Sequence, residues 1–252
     1  MSKEMRRKQI LEIMEGTKVV TSVGLSEHFR VTEETIRKDL NYLSEKGLIM
    51  RTFGGAALKE KGEQSLEQRS VCNYIQKQKI AIEAAKLICP RDLIVMDAGS
   101  TTSVLAQQIK SDSEVIVLTN SLEIMNILSK LDGITLISTG GTLGKKSVSF
   151  RGSTAEKTIH SYNLQKAFIS CAAVDLQRGV MDTSEEEARV KKSMLEEAKE
   201  IYLLADSSKF NGIAHVTLCD WKKITAVITD NEIEAETLEE FRQAGLDVIV
   251  AS

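Results

Sequence analysis

The chain has 252 residues, 42% hydrophobic and 27% charged, with a formal net charge of −3, which fits one large domain or two and does not fit a generic polyanion binder. Aromatic residues make up only 4%, too few for a stacking platform on single-stranded nucleic acid. No apolar run reaches the length of a membrane span, and the charged start (Lys3, Glu4, Arg6, Arg7, Lys8) has no signal-peptide core behind it, so a cytoplasmic chain with no membrane contact is expected.

The four cysteines (Cys72, Cys89, Cys171, Cys219) and three histidines (His28, His160, His215) are dispersed. A closed zinc site needs ligands at short paired spacings, so reduced, packed thiols and no metal or cofactor are expected. Charge is unevenly spread: residues 1–57 hold ten Lys/Arg against eight Asp/Glu, and the remainder holds 23 against 28.

Residues 2–15 predict a first helix with Met5, Ile10, Ile13 and Met14 as its apolar stripe, stopped by Gly16. A second helix is expected from about Ser22 to Phe29, with Val20, Val23, Leu25 and Phe29 as apolar positions, and Arg30-Val31 turns the chain. Thr32 then caps a third helix, because its side-chain oxygen can accept from an otherwise unpaired backbone N–H. Glu33 and Glu34 suit the positive end of that helix dipole. Ile36, Leu40 and Leu43 recur at helical spacing toward a core, and Gly47 closes the helix. Three short helices joined this way predict a helix-turn-helix. The polar front of the third helix fits a DNA major groove, so Thr32, Glu33, Thr35, Arg37, Lys38 and Asn41 are candidate DNA-binding residues.

Residues 48–53 then read as a strand, Gly54-Gly55 as a turn and residues 56–58 as a returning strand. This is a β-hairpin wing, with Arg51 placed to meet phosphate. A DNA-binding domain is thus expected over 1–58, a polar linker over 59–73 and a second domain over 74–252.

The second domain begins with a helix (Ile75, Ile80, Ile82, Ala85, Leu87, Ile88) that stops at Pro90, the one proline. Short apolar runs follow at 93–97, 115–119, 134–138, 167–170, 201–205, 226–229 and 248–250. Amphipathic segments at 102–109, 122–131, 153–160, 185–199 and 234–244 separate several of them. The alternation predicts an α/β domain whose mostly parallel sheet is covered on both faces, a three-layer arrangement.

Those strands run repeatedly into small polar residues. The loops are Asp97-Ala98-Gly99-Ser100-Thr101-Thr102, Thr119-Asn120-Ser121, Thr139-Gly140-Gly141-Thr142, Asp206-Ser207-Ser208-Lys209 and Thr229-Asp230. Ligands of open parallel sheets bind beyond the carboxyl ends of the strands, where these loops converge. Gly99 lets backbone approach an anion, and Ser100, Thr101 and Thr102 stand at a helix N-terminus that favours negative charge. Gly140-Gly141 is a second close-approach loop. Asp97, Asn120 and Asp206 suit hydroxyls, and Lys209 suits an anionic group, although lysine alone is more often solvated. No G-x-G-x-x-G is present, so a small phosphorylated polyol or sugar fits better than a dinucleotide. Glu185-Glu186-Glu187 reads as a dipole-favoured first helical turn, and Lys191-Lys192 as a solvated face.

These motifs, in this order, resemble the DeoR family of bacterial transcriptional regulators over nearly the whole chain. The match runs through Arg7, Ile10, Leu11, Val31-Thr32, Thr35 to Leu40, Leu43, Gly47-Leu48-Ile49, Arg51 and Gly54-Gly55-Ala56. It continues through Asp97 to Thr102, Thr119-Asn120-Ser121, Thr139-Gly140-Gly141, Asp206 to Phe210 and Ile228-Thr229-Asp230. The resemblance implies a winged helix-turn-helix on operator DNA and a sensor domain similar to ribose-5-phosphate isomerase and glucosamine-6-phosphate deaminase folds. It also implies repression of sugar-utilisation genes, a phosphorylated-sugar effector and a homo-oligomer. Where the family often has His, this chain has Phe53, which leaves no polar side chain for a wing contact there. Where the family commonly has an apolar residue, Arg151 precedes Gly152; it is expected either to point at the ligand or to stand as an exposed edge-strand arginine.

The expected ligand-binding set is Asp97, Gly99, Ser100, Thr101, Thr102, Thr119, Asn120, Ser121, Gly140, Gly141, Arg151, Gly152, Asp206 and Lys209. Two functions compete. In a ligand-controlled repressor, Thr35, Arg37 and Lys38 enter the groove of double-stranded operator DNA, with either Arg37 or Lys38 reading a base. In a sugar-phosphate isomerase or deaminase, Asp97, Glu187, Asp206 and Lys209 supply acid, base and electrophile. The helix-turn-helix has no role in catalysis, so the repressor is the expected function, with no catalytic residues.

Overall fold

A computed structural model of the chain describes residues 3–17, 19–45, 48–58 and 65–252. The chain forms two compact units, Met1–Ile75 and Gln76–Ser252. Among the described residues, no helix is long and apolar enough to cross a membrane.

The first unit contains α1 (Lys3–Thr17), β1 (Val19–Thr21), α2 (Ser22–Phe29), α3 (Glu33–Glu45), β2 (Ile49–Thr52), β3 (Gly55–Leu58) and α4 (Leu66–Val71). Ile10, Met14, Leu25, Ile36, Leu40, Leu43, Ile49 and Ala56 form its buried core. Thr32 caps α3 as expected, its Oγ1 accepting from the Thr35 N–H at 3.3 Å. Arg30, at φ +53, closes α2 in the left-handed conformation that makes the tight turn. Gly47, expected to end α3, lies outside the described residues.

Several expectations shift. Helix α1 runs through Gly16 to Thr17, and its Met5 is exposed. Val20 belongs to β1, which pairs antiparallel with β3 and makes the wing a three-stranded sheet, order β1-β3-β2. Val23 is exposed on α2. Residues 66–71 of the expected linker are helical, because Ser65 and Gln68 form a capping box that satisfies two otherwise unpaired N–H groups. Cys72 then bridges Thr52 of β2, so this stretch belongs to the first unit.

The second domain opens with α5 (Tyr74–Ala85), β4 (Leu93–Met96), α6 (Ser100–Ala106), β5 (Ile116–Thr119), α7 (Leu122–Leu128), β6 (Thr135–Ser138), β7 (Thr142–Gly144), β8 (Ser149–Arg151) and α8 (Ser153–His160). It continues with β9 (Leu164–Ser170), β10 (Ala173–Asp175), β11 (Gly179–Asp182), α9 (Glu185–Glu197), β12 (Ala198–Leu204), β13 (Val216–Cys219), β14 (Ala226–Asp230), α10 (Ala235–Gln243) and β15 (Val248–Ala251). All seven expected strands join one sheet, order β15-β14-β12-β9-β4-β5-β6, and every pairing in it is parallel.

Both faces of the sheet are covered. Val95, Ala167, Ile169, Leu203 and Val227 pack with Ile159, Val190, Met194 and Phe241 of α8, α9 and α10. Their strand neighbours Ile94, Met96, Phe168, Leu204 and Ile228 are equally buried and must point to the opposite face. Helix α5 buries Lys77, Ile80, Ala81 and Ala84 and leaves Ile75 and Ile82 exposed; it ends at Ala85, before Pro90. Two small antiparallel additions were not anticipated: the β7–β8 hairpin and the β10-β11-β13 sheet.

In the first unit, Asp39 of α3 is fully buried and accepts from Arg6 Nε at 2.6 Å and Arg7 Nε at 2.8 Å. Breaking a buried ion pair from one side costs about 3–5 kcal/mol, because the remaining charge is left uncompensated. Asp39→Ala should therefore lower the stability of the first unit by about that amount, measurable by urea unfolding followed by circular dichroism.

Candidate functional site

In the first unit, the exposed side of α3 carries Thr32, Glu33, Glu34, Arg37, Lys38 and Asn41, with Thr35 half-buried between them. Ile36, Asp39, Leu40 and Leu43 face inward. Arg37 pairs with Glu33 at 3.6 Å and Lys38 with Glu34 at 3.5 Å, both on the helix surface. Arg51 turns away from the wing's edge. Its Nε donates to Gly55 O at 3.0 Å, and its Nη1 donates to Arg37 O at 3.3 Å and to Asn41 Oδ1. Burial and the nearby Arg37 charge lower its pKa from the ordinary value. Arg51 thus fastens the wing to α3 while staying half-buried.

In the second unit, the parallel sheet places the ends of β4, β5, β6, β9, β12 and β14 on one edge. Asp97, fully buried after β4, accepts from the Ser170 N–H at 3.1 Å and the Ser170 hydroxyl at 2.7 Å. The Lys191 ammonium lies 2.7 Å from Asp97 and 2.7 Å from Asp182, and it donates to Ser170 O at 2.9 Å. Burial disfavours this ammonium, but the Asp182 and Asp97 carboxylates outweigh it and raise its pKa above the ordinary lysine value. The solvated face expected for Lys191-Lys192 is therefore wrong for Lys191, which is 6% exposed. Its helical phase accounts for this: with Glu187, Val190 and Met194 it shares the buried side of α9.

Glu187 is likewise more than a dipole-favoured first-turn residue. It is buried and accepts from the Ser147 hydroxyl at 2.7 Å and the Ser149 hydroxyl at 2.5 Å. These contacts bind the β7–β8 hairpin to the start of α9. On its other side the hairpin joins the end of β5, where Phe150 N donates to Asn120 O at 2.7 Å and Asn120 Nδ2 donates to Phe150 O at 3.1 Å. Asn120 Oδ1, although buried, accepts no hydrogen bond among the described residues. Arg151 pairs with Glu186 of α9.

The remaining expected residues divide by what they already bond. Thr102 donates to Asp97 O at 2.7 Å and accepts from Gly99 N at 3.0 Å. Thr119 donates to Met96 O at 2.8 Å and accepts from Ser121 N at 3.0 Å, while Ser121 caps α7. These three shape the edge and spend their hydroxyls on it. Gly99 is required by contact, since a Cβ there would lie 2.0 Å from Ser170 Oγ. That space is filled by protein, contrary to the expected approach to an anion.

Ser100 and Thr101 differ: their hydroxyls take part in no hydrogen bond among the described residues. Gly140 and Gly141 have φ +61 and +110, and a Cβ on Gly141 would lie 2.6 Å from Arg151 O. Gly152, at φ +92, opens α8. Asp206 is buried and accepts from the Ser208 N–H at 3.2 Å and hydroxyl at 2.5 Å. Lys209 is half-buried with no carboxylate in ion-pair reach among the described residues. Cys171, a free thiol as expected, sits amid these groups. Burial pushes its thiol up to about 12 against the pull of Lys209 and Lys191, so it is not a thiolate at neutral pH.

A helix-turn-helix with a wing, in one chain with a parallel α/β domain that gathers hydroxyls, carboxylates and lysines at its carboxyl edge, defines the class of ligand-responsive DNA-binding regulators. The sequence profile described as DeoR-like helix-turn-helix domain matches residues 6–62, and that described as DeoR C terminal sensor domain matches residues 72–231. The chain belongs to the DeoR family of transcriptional regulators. It is 36% identical to the uncharacterized HTH-type transcriptional regulator YulB of Bacillus subtilis (strain 168), over 93% of this chain and 91% of that one. It is 28% identical to the glycerol-3-phosphate regulon repressor of Escherichia coli (strain K12), over 91% and 92%. Among solved structures, ribose 5-phosphate isomerase A from Methanocaldococcus jannaschii overlaps 55% of each chain with a TM-score of 0.42 and 19% identity.

Replacing Lys191 by Met would leave Asp97 and Asp182 buried without their shared cation, at a cost of about 3–5 kcal/mol at neutral pH. In the wild type, the raised Lys191 pKa gives a contribution that is full below about pH 10 and fades as pH rises through the folded-state value. Urea unfolding of both proteins across this range measures the difference.

Proposed function

We propose that this regulator is a cytoplasmic homo-oligomeric repressor of a sugar-utilisation operon. A phosphorylated sugar at the carboxyl edge of the seven-stranded sheet alters its hold on operator DNA. The observation that carries the reading is a set of uncommitted donors beside committed carboxylates. The Ser100 and Thr101 hydroxyls and the half-buried Lys209 ammonium bond no group among the described residues, whereas Asp97 is fully engaged. Hydroxyls at the start of a helix, with a lysine, match a phosphate. The open Asn120 Oδ1 matches a sugar hydroxyl. The likeness to a glycerol-3-phosphate regulon repressor supports a small phosphorylated polyol as the ligand class. Gly140, Gly141, Gly152 and Arg151 bound the same region in this reading, and no cofactor is required.

On DNA, Thr35, Arg37 and Lys38 are assigned to the major groove, with Thr32, Glu33 and Asn41 flanking them. One reading helix per subunit makes few base contacts, and a symmetric pair would read half-sites about 34 Å apart or a multiple of that. The enzyme alternative lacks support where acid–base chemistry needs it. Asp97 gives both oxygens to Ser170 and Lys191, and Glu187 gives Oε1 to two serines.

A thermal-shift screen of sugar phosphates tests the reading. A true effector at 100 times its dissociation constant should stabilise the native protein by about 2.7 kcal/mol and change the retention of operator DNA in a mobility-shift assay. The double variant Ser100→Ala, Thr101→Val should lose most of that shift. Identical operator affinity with and without every stabilising sugar phosphate would reject effector control.

A further inference from the structure

We propose that Phe53 is an apolar wedge that enters the minor groove of duplex DNA at the wing tip and kinks it. This role rests on the duplex-binding reading above and adds to it a contact that neither the helix nor Arg51 provides. Phe53 is 74% exposed, and no large hydrophobic side chain among the described residues is more exposed. A lone exposed apolar residue is ordinary on a protein surface, but its placement here is not. It stands in the two-residue turn between β2 and β3, whose last paired residues are Thr52 and Gly55.

The tip leaves position 53 as its one site for a large side chain. Gly54 has φ +79, which strains any residue with a Cβ. A Cβ on Gly55 would lie 1.9 Å from Val20 O. The Cβ position of Gly54 has no atom within 4 Å, so the tip is thin beside its aromatic ring. In a minor groove about 6 Å wide, the Phe53 ring rather than the strands of the wing would make the entry.

The tip is also held firmly. Ser22 N donates to Gly54 O at 2.6 Å, fastening it to the start of α2. Arg51 Nε donates to Gly55 O, and Arg51 Nη1 donates to Arg37 O, fastening the wing to α3. A side chain that parts stacked bases has to resist their closing, which requires such support. With Arg51 drawn inward, the turn Thr52-Phe53-Gly54-Gly55 presents no cation to a phosphate. Its chemistry suits sugar and base faces instead. Kinking of this kind is easiest at flexible pyrimidine–purine steps, so the wedge would add sequence preference where no side chain reads a base edge.

The probe is a duplex enriched from a randomised pool by the full-length wild-type protein, carrying 2-aminopurine along its flanks and a dye at each end. Wild type and Phe53→Leu should brighten the 2-aminopurine by unstacking it and bring the dyes closer. Phe53→Ala should do neither and should bind about 10- to 100-fold more weakly. Its melting temperature should match wild type, since the ring is exposed. Wild-type affinity, bending and brightening in Phe53→Ala would overturn the wedge. Weakened binding with bending and brightening retained would also overturn it, marking Phe53 as a simple surface contact. Failure of the wild type to enrich any duplex would instead reject the duplex-binding reading, and the wedge with it.

Discussion

The Lys191 ammonium stands 2.7 Å from each of two carboxylates and 2.9 Å from a carbonyl oxygen, in a pocket that water scarcely reaches. Through them it joins the end of β4, the end of β9, β11 and α9. Burying an ion costs several kcal/mol, which only well-placed opposite charges offset; two carboxylates on one lysine meet that condition. The rest of the edge follows from this point. Asp97, held from one side, turns its oxygens to Ser170, and the Ser170 side chain then fills the space that makes position 99 a glycine. Helix α9, anchored by Lys191, places Glu187 to receive the two hairpin serines, and the hairpin in turn closes on Asn120.

The same network sets an electrostatic polarity along the crevice. Two aspartates on one lysine leave net negative charge, and Asp206 adds to it nearby. A phosphate is repelled from that point, whereas a hydroxyl donating to a carboxylate is favoured. The uncommitted donors, Ser100, Thr101 and Lys209, are bonded to none of these carboxylates. A ligand with an anionic end and a hydroxylated end fits this division better than inorganic phosphate or a neutral sugar alone.

Much of this was legible in the sequence because strong local signals coincide with the fold. The seven strands are apolar runs buried on both faces, the cap at Thr32 lies where the residue chemistry places it, and the loops after the strands share one edge because the sheet is parallel. What escaped notice depends on long-range partners. Lys191 reads as solvated until Asp97, 94 positions earlier, and Asp182 are seen to converge on it. Yet its helical phase with Val190 and Met194 already placed it inward, and weighing phase above charge would have found it. The strand Val19–Thr21 was hidden because three residues carry no periodicity and pair with a segment 36 positions away. Thr102, Thr119 and Gly99 were open to two readings for another reason. A small polar residue at a strand end serves equally to bind a ligand or to bond the loop, and only its hydrogen-bond partners distinguish the two.

The first unit shows how a chain of net charge −3 can still present a DNA-reading surface. Five of its described cations fall into two energetic groups. Arg6 and Arg7 are committed to buried Asp39, and Arg51 to backbone oxygens and Asn41, so none can be withdrawn without a substantial loss. Arg37 and Lys38 are only shadowed by Glu33 and Glu34 on the helix surface. Exposed pairs of this kind are worth about 0–1 kcal/mol, so a phosphate or a guanine edge displaces them at little cost. Until then they mask the positive charge. Arg51 meanwhile joins the wing to this helix, through Gly55 O, Arg37 O and Asn41.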